Sequence, residues 1–418
     1  MSFRGSLKTV TCLAVFMAVS QVALAKDEQE AEVGVADKKA QEYVAKGIRL
    51  GGFDLFPKVT LSETYDDNIY QQRNNTSSDW ITEIEPSLSL SSNWNRHALR
   101  FDARANVGRF ADYGDNDYED YNMRARTRID ALRSLTFKGD LSYNRGHEER
   151  GGDDVGLDAK NPIETDTVRG QFDVKYQPNR LGVQFTADVV DYDYSDNLTL
   201  SGATTNNDDR DRTDMMGTLK VSYEVKKGYD AYIKTIVNQR DYDDATDDAG
   251  VNRDSDGYNA QAGLAIDLSK LLRADFAAGY MSQDYEDNSL DTASGWSGNA
   301  SLNWFVTPLT TLRGSVSRAI EETTTAGASS IVGTRYAIGA DHELLRNLLV
   351  SADIAYSESD YSGGTRNDDK MNYAAAIDYK FNRNFFAGAK VTFEDRDSNQ
   401  SVNDYDRTKY MVKIGAQF

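Results

Sequence analysis

The chain is poor in the residues that much catalysis and metal binding use. Its 418 residues include one cysteine, three histidines and five prolines. The cysteine, Cys12, lies in the apolar run Val10 to Val19, which Arg4 and Lys8 precede and Ala23-Leu24-Ala25 follows. That order of charge, apolar run and small residues predicts a signal peptide over 1–25. A processed chain would then carry no thiol, which excludes disulfides, thiolate metal sites and cysteine nucleophiles together and suits an oxidising compartment. His97, His147 and His342 fall in separate segments, so their spacing suggests neither a metal centre nor a nucleophile–base pair. A barrel lipase-like enzyme built on His97 and His342 is the one enzymatic alternative. There is no Gly-rich phosphate loop, and no cofactor is expected.

Positive charge is also scarce. Lys and Arg total 47 against 67 Asp and Glu, a net charge of -20 that becomes -22 once Arg4 and Lys8 are removed. Nucleic acid, whose phosphates need basic partners, is excluded as a ligand. Beyond the signal no apolar run approaches the ~18 residues of a membrane helix. Strands that cross a membrane escape this exclusion, because their apolar residues occupy alternate positions and cancel in any average.

Such alternation is what the chain does have. From residue 51 to 418 it reads as one unit of alternating segments, among them Leu99, Phe101, Ala103, Ala105 and Val107, then Met123, Ala125, Thr127, Ile129 and Ala131. The closing stretch sets Tyr410, Val412, Ile414, Ala416 and Phe418 on one face and Lys409, Lys413 and Gln417 on the other. About eighteen strands follow, joined alternately by short turns, as at Asn95-Arg96 and Thr307-Pro308, and by longer polar stretches such as 147–164, 195–212, 241–256, 286–294 and 360–368. Alternating loop length, an even strand number and both ends on one rim predict an all-β, transmembrane, antiparallel up-and-down β-barrel in the cell outer membrane. Tyr and Trp cluster at segment ends (Trp94, Tyr176, Tyr223 and Trp304 on one side, Tyr65, Tyr113, Tyr143, Tyr258 and Tyr280 on the other), as interfacial girdles require. Residues 26–50 are charged, with one weak helical stripe (Ala40, Tyr43, Val44, Ile48), and read as a periplasmic tail or short helix, or a small plug.

The polar face carries the chemistry. Arg124, Arg126 and Arg128 are spaced by two, and Arg104, Lys138, Arg169 and Lys175 fall on neighbouring strands. Facing lipid, each would cost roughly 2–4 kcal/mol at mid-membrane, so they are expected to line the lumen. With Asp102, Asp130, Asp140 and Asp173 on the same wall, they form either a salt-bridged ladder or a basic stripe that guides anions, and the two roles are compatible. Further round, Asn259, Gln261, Ser297, Asn299, Ser301 and Asn303 offer amides and hydroxyls suited to a saccharide. The stretch "NRDSDG" has calcium-loop spacing at Asn252, Asp254 and Asp256, but Gly263 stands where the bidentate glutamate belongs, so it reads as an acidic loop.

The stretch "LFPKVTLSETYDDNIY", 55 to 70, resembles the opening signature of a β-barrel porin family associated with exopolysaccharide gene clusters. The resemblance implies an outer-membrane pore that takes part in polysaccharide secretion, with polysaccharide export components as partners. A diffusion porin for small anionic or sugar solutes and a non-conducting surface scaffold or receptor are the alternatives. A terminal strand ending in Phe418 resembles the signal read by the barrel-assembly machinery, and outer-membrane lipid is the other expected partner.

Overall fold

A computed structural model describes residues 35, 43–150, 155, 159–268, 271–325 and 327–418. The predicted signal peptide and most of the 26–50 tail, including Ala40, lie outside the described residues. The described part holds β1 (Ile48–Leu50), β2 (Phe53–Asp66), β3 (Asp79–Ser92), β4 (Ala98–Phe110), β5 (Tyr118–Leu132), β6 (Leu135–Glu148), β7 (Ile163–Tyr176), β8 (Leu181–Tyr194), a two-residue pair β9 (Asn197–Leu198) and β10 (Thr204–Thr205), then β11 (Arg212–Lys226), β12 (Tyr229–Tyr242), β13 (Ser255–Asp267), β14 (Leu272–Tyr285), β15 (Ala293–Thr307), β16 (Thr310–Glu321), β17 (Ser330–Leu345), β18 (Leu348–Ser362), β19 (Asn367–Lys380), β20 (Phe385–Ser398) and β21 (Tyr405–Gln417).

Strands β2 to β8 and β11 to β21 pair with their neighbours in antiparallel register, and β2 pairs with β21 from Lys58↔Gln417 to Asp66↔Lys409. The result is a closed barrel of eighteen strands with no free edge. The alternating apolar residues face outward: Met123, Ile129, Ile338, Val412 and Ile414 are all exposed, as expected for a surface solvated by hydrocarbon rather than packed on protein. The connections divide as expected. Turns such as 133–134, 227–228 and 346–347 occupy one rim, while 67–78, 149–162, 195–211 and 243–254 occupy the other. One long connection is shorter than the sequence suggests. The polar stretch 360–368 continues the ladder, with Asp360 paired to Asn367, so the loop is only 363–366. Most barrel strands run 13 to 15 residues, beyond the 9–11 a membrane needs. Outward-facing charge such as the Arg145–Asp166 pair at 2.5 Å falls near the loop end of its strands.

Trp94, Tyr176, Tyr223, Trp304 and Phe418 are exposed towards the short-turn rim, and Tyr258 and Tyr280 towards the other. Of the remaining aromatics, Tyr65 packs on Trp80 at 5.2 Å and the Tyr143 hydroxyl donates to Asp166 at 2.9 Å. At the short-turn rim, β1 folds back on β2 (Leu50↔Phe53) through Gly51, whose φ of 60° favours glycine. Val35 is buried, and its N–H donates to Thr311 Oγ1 at 2.9 Å.

Candidate functional site: the lumen wall and its loop-side vestibule

All seven basic residues singled out in the sequence lie on the strand face opposite the exposed apolar stripe, but most are not free charges. Asp102 accepts from Arg100 and Arg126 at 2.7 Å each and from Ser89 at 2.6 Å. Arg124 pairs with Asp140 at 2.5 Å, Arg128 with Asp130 at 3.3 Å, Arg104 with Glu85, and Arg169 with Asp188, which also accepts from Gln171. Lys138 and Lys175 have no carboxylate within ion-pair distance among the described residues. Strand register explains the pairing: Arg126 stands opposite Asp140 and Arg124 opposite Asp102, so Arg124 and Arg126 each reach the acid one step along the neighbouring strand, while Arg128 pairs along its own strand. The wall is therefore a ladder of alternating charge, with two lysines adding positive charge on one side.

The expected neutral wall is likewise engaged with itself. Gln261 donates to Ser297 Oγ at 3.2 Å, Ser297 to Asn259 at 2.7 Å, and Asn299 to Asp275 at 3.2 Å. Asp275 also takes a 2.6 Å bond from the Tyr232 hydroxyl, and Lys220 Nζ sits 3.7 Å from the centre of the Tyr232 ring. Sequence reading missed this knot because its members come from four strands.

A recurrent device was also missed: a glycine on the inner face lets a long side chain reach over it to the next strand but one. Gly388 lies between Asp378 and Lys413 in register, and those two pair at 2.6 Å across it. Gly108 lies between Glu83 and Tyr118, and the Tyr118 hydroxyl donates to Glu83 at 2.8 Å over it. The available signal was a lone glycine at an inward position between strands bearing complementary polar groups.

The signature 65–70 builds the loop-side end of the closing seam. Asp66, with 0% exposure, is gripped by Arg407 of β21 through Nε at 2.9 Å and Nη2 at 2.5 Å. Asn68 N–H bonds Asp66 at 3.0 Å in an Asx turn, and its amide donates to the carbonyls of Gln72 and Asp406 at 2.8 Å each. Asp67 accepts from Thr408 N–H at 2.6 Å. Asp66-Asp67-Asn68 thus form a turn and lock β2 to β21.

Glu149 and Arg150, which follow β6, lie against this seam. Glu149 meets Arg407 at 2.5 Å, Lys409 at 3.3 Å and the Gln71 amide at 2.9 Å. Beside it Arg150 stacks on Tyr70 at 4.0 Å. Next to them is a cavity of about 200 Å³ lined by Ile81, Phe110, Tyr118, Arg150, Lys390 and Met411 among others. His147 stacks on Tyr118 at 4.1 Å and bonds Asp120 at 2.9 Å, whereas His97 and His342 engage Asp130 N–H and Thr310 elsewhere. In the "NRDSDG" stretch, Asp254 accepts from Tyr242 N–H at 2.7 Å, and buried Arg253 pairs with Asp247 at 2.7 Å.

No curated protein matches this chain. Solved structures of similar architecture include Pseudomonas aeruginosa OccK2 (9% identity, TM-score 0.47, covering 87% of this chain and 98% of that one) and OccK3 (12%, 0.44, 87% and 96%). The Acinetobacter baumannii siderophore receptor PiuA is similar at 10% identity and a TM-score of 0.45, covering 89% of this chain and 82% of that one. The family described as putative beta-barrel porin 2 matches residues 41–418. That match takes in every strand of the barrel, and the chain belongs to this family of outer-membrane β-barrel porins.

Proposed function

We propose that the barrel is a diffusion porin that passes small polar solutes, anions and sugars among them, without catalysis. The observation that carries this reading is the ladder of Arg124–Asp140, Arg126–Asp102 and Arg169–Asp188 pairs around the inner wall. Fixed charges of both signs orient a dipolar or hydroxylated solute without holding it as one uncompensated charge would. A passive role also fits the scattered engagements of His97, His147 and His342, which bring no nucleophile and base together among the described residues. Polysaccharide export came from the family resemblance alone. Glu149, held on Arg407, and the side chains reaching over lumen glycines favour small solutes over a polymer. Phe418, exposed on the outer face with its N–H bonded to Pro57 O at 3.0 Å, is proposed as the mark read by the barrel-assembly machinery.

Planar-bilayer recording with liposome swelling tests the reading. Wild-type protein should conduct and admit monosaccharides faster than oligosaccharides. Replacing Arg124, Arg126 and Arg128 together by Ala should shift the reversal potential towards cation selectivity, because Asp140, Asp102 and Asp130 lose counter-ions. A protein that neither conducts nor admits solute would refute it.

A further inference from the structure

Two cations at the vestibule, Arg150 and Lys390, have no ion-pair partner among the described residues. Of the acids on the cavity wall, Glu149 is held by Arg407 and Gln71, whereas Glu83 takes only neutral donors, Tyr118 at 2.8 Å and Ser62 at 3.2 Å among them. Arg150 is only 5% exposed, and its Nε is buried without a hydrogen bond. Among the described residues no carboxylate lies within ion-pair distance of it. Tyr70 stabilises the guanidinium through its ring face at 4.0 Å and through its hydroxyl, and Asp115 adds attraction from further away, but Nε stays without a partner. Lys390, on β20, lines the same cavity and also lacks an ion-pair partner among the described residues. A desolvated guanidinium without an anion is costly, so the geometry is that of a site awaiting one.

We infer that this cavity binds small carboxylates that carry a compact ring or apolar body. The carboxylate lies against the Arg150 guanidinium, whose fork matches two oxygens, with Lys390 adding charge. The body packs on Ile81, Phe110, Tyr118 and Met411, the apolar and aromatic part of the lining. About 200 Å³ is the share of roughly six or seven waters, enough for a single-ring acid and too little for a chain of sugars. The inference deepens the solute-passage reading, since an anion held here sits on the loop-side approach to the lumen.

Benzoate and its neutral counterpart benzyl alcohol are the probes, titrated calorimetrically into the full chain folded in detergent. Benzoate is expected to bind and benzyl alcohol to bind at least tenfold more weakly. Arg150→Gln is expected to weaken benzoate by roughly tenfold, about 1.4 kcal/mol, and Lys390→Gln by a smaller factor. Because Lys390 is exposed to the lumen, its variant remains informative even if Arg150→Gln does not fold. Absence of benzoate binding, equal binding of the two probes, or benzoate affinity unchanged in both variants overturns the site. A protein that conducts in bilayers but ignores benzoate sinks this inference alone. One that binds benzoate through Arg150 but never conducts sinks the passage reading and leaves the site standing.

Discussion

Replacing Gly108 by Ala is a minimal change with a calculable consequence. A Cβ at Gly108 would fall 2.3 Å from Tyr118 Cε1 and Cζ and 2.8 Å from its hydroxyl, so the ring must leave. Tyr118 would then lose its 2.8 Å bond to Glu83 and its stack on His147 at 4.1 Å. A hydrogen bond to a charged group contributes about 1.5–3 kcal/mol and an aromatic pair about 0.5–1.5. Glu83 keeps bonds from Ser62 and Thr64, which places the first contribution near its lower limit. Against the loss stands a gain of roughly 0.5–1 kcal/mol, since Ala is less costly to order than Gly in a strand. The net expectation is about 1–3 kcal/mol of destabilisation, read from urea unfolding of the lipid-folded barrel by tryptophan fluorescence and gel mobility. In a Tyr118→Ala background the obstacle is gone, because the three nearest atoms to the added Cβ all belong to Tyr118. There the same substitution should become neutral or stabilising. A cost for Gly108→Ala that is equal in both backgrounds would refute the idea that this glycine exists to let Tyr118 pass.

Three further outcomes follow from the same geometry. Arg407→Leu leaves Asp66 buried without its guanidinium and should cost about 3–5 kcal/mol, measured in the same unfolding assay, whereas the double change Asp66→Leu with Arg407→Leu should recover much of that loss; no recovery would count against the pair as the source. Ile338, 69% exposed on the outer face, should lose about 2–4 kcal/mol as Arg in a bilayer, while Ser315→Arg on the inner face should cost far less, and equal costs would contradict the assigned faces. On loop 195–211, burial pushes the Asp211 carboxyl up to about 7, against the bond from Tyr194 N–H and with the charges of Asp193, Asp208 and Asp243 adding to it. A raised carboxyl pKa stabilises the fold in its protonated form, so this contribution is present at low pH and fades as pH rises from the ordinary carboxylate range through about 7. Hydrogen exchange of the loop should accordingly quicken between pH 5 and 8, after correction for intrinsic rates, and Asp211→Asn should abolish the difference.

The barrel was legible because its signal is local. Alternation in segments such as Met123 to Ala131 needs only the period of a strand, and turn chemistry at 133–134 or 346–347 marks where each hairpin reverses. Strand count, loop alternation and the outward placement of Val412 and Ile414 all follow from that period. Loop 363–366 escaped because polar residues mark solvent, and strands that rise above the membrane are also in solvent. The vestibule was illegible for a different reason. Asp66, Glu149, Lys390 and Arg407 are separated by up to 341 positions, and only closure of β2 on β21 brings them together. No spacing rule reaches that far, and the sign of a charge says nothing of whether a partner waits across the barrel.

That last point governs how the lumen treats an anion. Counting the arginines on β4, β5 and β7 suggests a basic corridor, yet Arg104, Arg124, Arg126, Arg128 and Arg169 each meet a carboxylate, so over a Debye length of about 8–10 Å the field of the pairs largely cancels. Attraction then survives where pairing is incomplete among the described residues, as at Lys138, Lys175, Lys58 and Lys234 along the wall and at Arg150 and Lys390 near the loop end. The loop rim has the opposite character, with Asp243, Asp244, Asp247, Asp248 and Asp254 between 243 and 254 against Arg253 alone. An incoming carboxylate therefore meets repulsion first and a cation only after it has passed the rim. Discrimination among anions rests on the few unpaired groups inside rather than on the overall charge of the protein, whose value of -20 would by itself argue against anions altogether.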